Sequence, residues 1–256
     1  MNYLVICLVA FLASGLTLFS GFGLGTLLLP AMAIFFPIDT AIALTAIVHL
    51  LNNLFKFALL GRHADRATVL RFGLPAILAA LLGARMLLWL SHLQPLLTYQ
   101  LFGLQFQIMP VKLVVAGLMV FFALFELLPR LAEISVEKKY LPLGGLLSGF
   151  FGGLSGHQGA LRSIFLLKAG LSKESFIATG VVITLLVDIP RIIVYSASFS
   201  LLQGDGVSML AAAVLSAFSG AFLGNRLLNK VTLRGIQLLV AGMLLGIAVG
   251  LALGLI

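Results

Sequence analysis

Apolar positions run along this chain in long unbroken blocks, not in the one-sided stripe of a soluble helix. The blocks are Tyr3–Phe36, Thr40–Leu60, Arg71–Leu90, Val111–Leu128, Leu141–Leu167, Ser175–Ser196, Val207–Leu228 and Arg234–Ile256. A helix needs about 20 residues to cross the hydrocarbon of a bilayer, where its backbone polar groups must be bonded internally. Most blocks therefore predict one crossing helix each. Tyr3–Phe36 is too long for one ordinary crossing, and Leu141–Leu167 is long for one and short for two. Each carries a glycine cluster at its middle, Gly21-Phe22-Gly23-Leu24-Gly25 and Gly152-Gly153-Leu154-Ser155-Gly156-His157-Gln158-Gly159. Both blocks are read as broken or re-entrant helical hairpins.

The polar gaps orient the blocks. Gly61–Arg71, Pro129–Tyr140, Lys168–Glu174 and Asn229–Arg234 carry Lys and Arg; Pro37–Asp39, Ser91–Pro110 and Ala197–Gly206 carry none. Basic loops stay on the cytoplasmic side. The second set of crossings then runs opposite to the first. A weak internal similarity agrees: an offset of 134 (159 − 25) puts Gly25 on Gly159 and Thr45 on Thr179, with small register changes later. The predicted fold is an all-α polytopic membrane protein of two inverted-topology repeats, each a Gly-rich broken hairpin plus three transmembrane helices. Residues 1–129 form the first repeat, 130–140 a cytoplasmic linker and 141–256 the second. Inverted repeats with interrupted helices are a signature of transporters.

Composition excludes a soluble core. The chain of 256 residues is 61% hydrophobic and 9% charged, against about a quarter charged in ordinary domains. The net charge of +8 falls in short loops between apolar blocks, so it reads as topology and anionic-lipid contact and not as a nucleic-acid surface. Cys7, the sole cysteine, allows no intrachain disulfide and no cysteine metal site. The start of the chain has no basic region before its apolar run and is expected to stay in the mature fold.

Irregular backbone at membrane depth is tolerated where it lines protein or a watery cavity, so the glycine segments are the expected binding region. Ser155, His157, Gln158, Arg162 and Ser163 bring hydroxyl, imidazole, amide and guanidinium donors together within nine positions. A half-helix starting there adds free N–H groups and a positive dipole end. Arg162 can grip two oxygens of an oxyanion. Its bland alternative is snorkelling or pairing with Asp188; for His157 it is a structural hydrogen bond. In the first half Gly25, Thr26 and Asn53 join the substrate set, with close helix packing as the alternative for the glycines. His49, Asn53 and Lys56 share one helical face with Asn52. Asp188 and Arg191 fall at nearly the same places in the second half, at an offset of 135 (188 − 53, 191 − 56). Asp188, Arg191, Lys56 and His49 are the expected coupling or gating groups; snorkelling competes for Lys56 and Arg191, and Asp188 can pair with Arg191 or Arg162, or carry a proton. No P-loop, HExxH, paired CxxC or nucleophile elbow in context occurs, so no nucleotide, metal or other cofactor is expected and the chain does not read as an enzyme.

The chain resembles the TauE/SafE family of sulfite exporters and related anion permeases over nearly its whole length. The likeness rests on Gly21-Phe22-Gly23-Leu24-Gly25, Pro30, Thr40-Ala41-Ile42-Ala43-Leu44-Thr45, the basic loop Gly61–Arg71, Gly83-Ala84-Arg85 and the second glycine segment. Gly156-His157-Gln158-Gly159 replaces a plainer glycine run, and Ile164 stands where the repeat would place proline. The resemblance implies export of sulfite, an organosulfonate or another small sulfur-containing or carboxylate anion across a bacterial inner membrane, by alternating access. The partners expected are that anion and the lipid bilayer, with no nucleic acid; a homo-oligomer stays open. An anion channel is the alternative within transport. An intramembrane enzyme would need paired catalytic groups, to which only His157 with Asp188 comes close.

Overall fold

The computed structural model describes residues 2–20, 24–128, 135–196, 205–227 and 233–255. Gly21, Phe22, Gly23, most of the Ala197–Gly206 gap and parts of the Pro129–Tyr140 and Asn229–Arg234 gaps lie outside them. The described chain is a helical membrane protein. Its helices are α1 (Asn2–Ser20), α2 (Leu24–Ala33), α3 (Ile38–Leu60), α4 (Arg66–Ser91), α5 (Pro110–Leu127), α6 (Leu141–Ser155), α7 (Gly159–Leu166), α8 (Lys173–Tyr195), α9 (Asp205–Leu227) and α10 (Leu233–Ala252). Among the described residues, Ile38–His63, Arg66–Ser91 and Lys173–Tyr195 are long and apolar enough to cross a membrane.

Each overlong block holds two helices. Leu141–Leu167 breaks at Gly156, whose φ of 81° ends α6 in the left-handed conformation. Glycine takes that conformation without a side-chain penalty. Tyr3–Phe36 holds α1, ending at Ser20, and α2, starting at Leu24; the expected break at Gly21-Phe22-Gly23 lies outside the described residues.

Helix α4 shows how the sequence sorts lipid from protein. Leu70, Leu74, Leu78 and Leu82 recur every fourth residue and are exposed, whereas Phe72, Ala76 and Ala80 on the other side are buried. An exposed leucine ridge of this length is a liability in water and fits lipid. The buried side meets α6. There Gly145, Gly149 and Gly153, spaced by four, lie directly on the backbone of Phe72, Ala76 and Ala80. In lipid the apolar effect gives neighbouring helices no drive to associate, so close packing of small residues supplies it.

Helix α1 packs on α9 in the same manner, with Gly220 against the backbone of Phe11. Helix α5 packs on α10 and α3 on α8.

The Ser91–Pro110 gap, distinguished in the sequence only by its lack of Lys and Arg, contains a two-stranded antiparallel hairpin. Strands β1 (Leu97–Leu101) and β2 (Leu104–Ile108) pair from Leu97↔Ile108 to Leu101↔Leu104. Phe102 and Gly103 form the turn, with φ of 51° and 76°, as a two-residue hairpin turn of this hand requires. Tyr99 docks the hairpin on the end of α10, its hydroxyl donating to Leu253 O at 2.5 Å.

On the basic side, α4 starts with a side-chain cap. Asp65 Oδ1 accepts from Thr68 N at 2.8 Å, and Asp65 N donates to Thr179 Oγ1 at 2.9 Å. The Thr68 hydrogen bonds hold the Asp65 carboxyl below its ordinary range. Asp65→Ala is expected to destabilise the fold by about 1 kcal/mol, as for other N-cap losses. Because the folded-state value is depressed, this contribution is present above the ordinary carboxylate range and is lost as pH falls through the folded value. Thermal unfolding of wild type and Asp65→Ala at neutral and acidic pH checks both points: the gap closes on acidification.

Candidate functional site

The site grows from two matched helices. Helices α3 and α8 are both 23 residues long, and each presents a polar stripe at helical spacing. On α3 the stripe is Thr45, His49, Asn52, Asn53 and Lys56; on α8 it is Thr184, Asp188, Arg191 and Tyr195, and all of them are buried. Buried polar groups in a membrane protein face one another or a cavity, because lipid cannot satisfy them. The two stripes meet. His49 Nδ1 lies 2.7 Å from Asp188 Oδ2, and Arg191 Nη2 lies 2.7 Å from Asp188 Oδ1. Asp188 is 0% exposed, Arg191 1% and His49 3%. Gln158 Nε2 approaches the same carboxylate at 3.4 Å.

Arg191 also reaches the broken helix. Its Nη1 donates to Gly152 O at 3.1 Å, and the Tyr195 hydroxyl donates to Gly153 O. These are carbonyls of the last turn of α6, where backbone donors run out; Gly152 O also accepts from Gly156 N at 2.9 Å. One turn of α8 thus caps the interruption from the side. A Cβ on Gly156 would stand 2.9 Å from Arg191 Nη1, so glycine is needed there for space as well as for φ. The start of α2 joins this point: a Cβ on Gly25 would lie 3.7 Å from Gly156 O and 3.6 Å from Thr45 Cγ2. The broken segment at Gly156 and the first turn of α2 are therefore in contact.

Arg162, on the first turns of α7, donates to Thr184 Oγ1, which in turn donates to Gly180 O at 2.8 Å. Gly180 leaves room for the guanidinium, with its Cβ position 3.4 Å from Arg162 Nε. Lys56 is 7% exposed and close enough to Arg162 for the two charges to repel. Among the described residues neither Lys56 nor Arg162 has a carboxylate partner. Asp188 is taken by His49 and Arg191, so of the two arginine pairings open in the sequence the Arg191 one forms and the Arg162 one does not.

The other sequence-chosen residues divide. Asn53 Nδ2 donates to His49 O at 2.8 Å and fixes the α3 stripe. Asn52 Oδ1 accepts from Ser14 Oγ of α1 at 2.9 Å. His157 sits in the break with Nδ1 3.1 Å from Ser155 O, and its ring stacks on Phe122 at 5.3 Å between centroids. Ser155 and Ser163 bond back to Phe151 O and Gly159 O on their own helices. Thr26 is buried on α2 beside Gly25. Lys56 and Arg191 do not snorkel; both are enclosed by protein. Sequence reasoning missed Thr184, Tyr195 and Ser148, whose Oγ donates to Gln158 O at 3.1 Å. Their helical spacing from Asp188 and from the break was the available signal.

A cavity of about 560 Å³ lies apart from this cluster. It opens among the ends of α2, α3, α5 and α10, and Phe36, Asp39 and Lys112 line it. No residue of the polar stripes lines it.

No curated protein and no solved structure matches the chain. The family model described as "Sulfite exporter TauE/SafE" matches residues 6–251, nearly the whole length, and the chain belongs to that family of membrane transporters.

Proposed function

We propose that the chain is a secondary transporter that binds a small anion between Lys56 of α3 and Arg162 of α7. Its cargo is sulfite, an organosulfonate or a related sulfur-containing or carboxylate anion, exported through a bacterial inner membrane in which the chain is multi-pass. The observation that carries this reading is a buried lysine, Lys56, beside a half-buried arginine, Arg162, neither with a carboxylate partner among the described residues. An uncompensated charge in a low-dielectric interior costs several kcal/mol, and a bound anion removes that cost. With the cell interior negative, outward movement of one negative charge gains about 2.3 kcal/mol per 100 mV.

Two repeats, residues 1–129 and 141–256 joined by the linker 130–140, account for the way the helices pair. Ile38–Leu60 and Lys173–Tyr195 match in length at an offset of 135 (173 − 38). The first helix of each half packs on the fourth helix of the other, α1 on α9 and α6 on α4. The loop charges give the halves opposite orientation. Alternating access is then a rocking of one half against the other about the α3–α8 contact. The cavity at the end of α2 serves as the outer vestibule, since α2 runs from the glycine contact to that cavity.

Proteoliposomes loaded with radiolabelled sulfite test the reading. Saturable efflux accelerated by an inside-negative potential is expected. Ionic currents far above carrier turnover would instead make the protein a channel, and the absence of any flux of sulfite, sulfonates or small carboxylates would remove the proposal.

A further inference from the structure

The anion reading uses Lys56 and Arg162 and leaves unexplained the pair that ties α3 to α8. His49 and Asp188 come from the two matched helices, 139 positions apart, and meet at 2.7 Å with almost no exposure. We infer that the His49–Asp188 pair is a proton site linked to the anion site, so that a proton is taken up when the anion binds and released when it leaves. The inference rests on the anion-transport reading and adds its coupling ion.

The chemistry follows from the geometry. A neutral imidazole can donate to the carboxylate only in the tautomer that carries its proton on Nδ1. That leaves Nε2 as the basic position of the pair. Adding one proton there gives an imidazolium still bonded to Asp188 Oδ2; no covalent bond breaks, and losing the proton restores the starting pair. Asp188 keeps its second oxygen on Arg191 in both states.

The charges facing the pair set the linkage. From α3 come His49 and Lys56, from α7 Arg162, from α8 Asp188, Arg191 and Tyr195, and from the α6–α7 break His157. Among the described residues α2 and α6 bring no titratable group, and the arginines of α4 are exposed. With neutral histidines the formal charge is +2, from three cations and one carboxylate; the added proton makes it +3. A proton therefore strengthens anion binding, and by reciprocity a bound anion strengthens proton binding by the same factor. A fixed structural tie between two helices would show no such linkage.

Calorimetry of sulfite binding to the detergent-purified full chain decides the point. It is run in two buffers of different ionisation enthalpy, just above the second ionisation of sulfite so that the ligand arrives as the dianion. The buffer dependence of the heat is expected to report net proton uptake, approaching one proton per anion. His49→Gln is expected to bind sulfite with the uptake lost and with weaker binding at neutral pH, by about tenfold. Wild-type binding without proton uptake overturns the inference and leaves the transport reading standing. Undiminished uptake in His49→Gln also overturns it, by placing the proton elsewhere. Failure to bind any anion removes the transport reading and this inference together. The wild-type measurement stands even if His49→Gln does not fold.

Discussion

Lys56→Met is expected to raise the melting temperature of the anion-free protein while abolishing saturable anion flux. The two effects have one cause. Lys56 is buried on α3, faces the Arg162 charge and has no carboxylate partner among the described residues. Holding an unpaired ammonium away from water costs several kcal/mol. Methionine keeps the unbranched reach of the side chain and removes that cost. The same change deletes a charged hydrogen bond to the ligand, worth about 1.5–3 kcal/mol, or a ten- to hundredfold loss of affinity. Arg162→Ala should lose binding similarly, while Thr184 keeps its bond to Gly180 O and the fold survives. Thermal shift reads both consequences in one experiment, because a ligand that binds the native state raises its melting temperature. Wild type should gain stability from sulfite; Lys56→Met should start higher and gain little. A variant that melts lower than wild type and still responds fully to the anion would show that Lys56 is a structural residue and would remove it from the site.

How much of this was legible in the sequence depends on the range of the interaction. The interruption at Gly156 could be read because a glycine cluster inside an overlong apolar block has few other uses. The stripes of α3 and α8 were legible because polar residues at helical spacing are costly in a membrane segment. The Asp188–Arg191 pair, three positions apart on α8, was one of two arginine pairings open in the sequence; the pairing of Asp188 with His49 was not legible, because only the crossing of α3 with α8 brings the two together. Tyr195 escaped notice because a tyrosine at the end of a crossing helix reads as an interfacial anchor, yet it caps α6. The hairpin Leu97–Ile108 escaped because its turn, Phe102-Gly103, lacks the Asn-Gly or Asp-Gly signal, and the absence of Lys and Arg drew attention to topology alone.

Gly149→Val is expected to prevent the chain from folding stably in the membrane, the largest structural effect among the predictions. Gly145, Gly149 and Gly153 form one ridge of α6 seated on the backbone of α4. At Gly149 even a Cβ would stand 2.6 Å from Ala76 Cα, closer than van der Waals contact allows. The obstacle is helix backbone, which cannot rotate aside as a side chain can. Overpacking in a core typically costs 1–3 kcal/mol for one methylene, and valine adds a branched pair of methyls beyond the Cβ. The helices must separate, and lipid offers no apolar drive to bring them together again. The damage would spread to function, because α6 carries the Gly152 and Gly153 carbonyls that Arg191 and Tyr195 hold. Gly117→Ala on α5 is the control: its Cβ would meet nothing within 4 Å, and the exchange should be neutral or mildly stabilising. Monodispersity and melting temperature in detergent compare the two. Gly149→Ala, with the smallest possible side chain, should already fall well below Gly117→Ala. Equal stability of the two alanine variants would mean that α4 and α6 do not approach at that glycine.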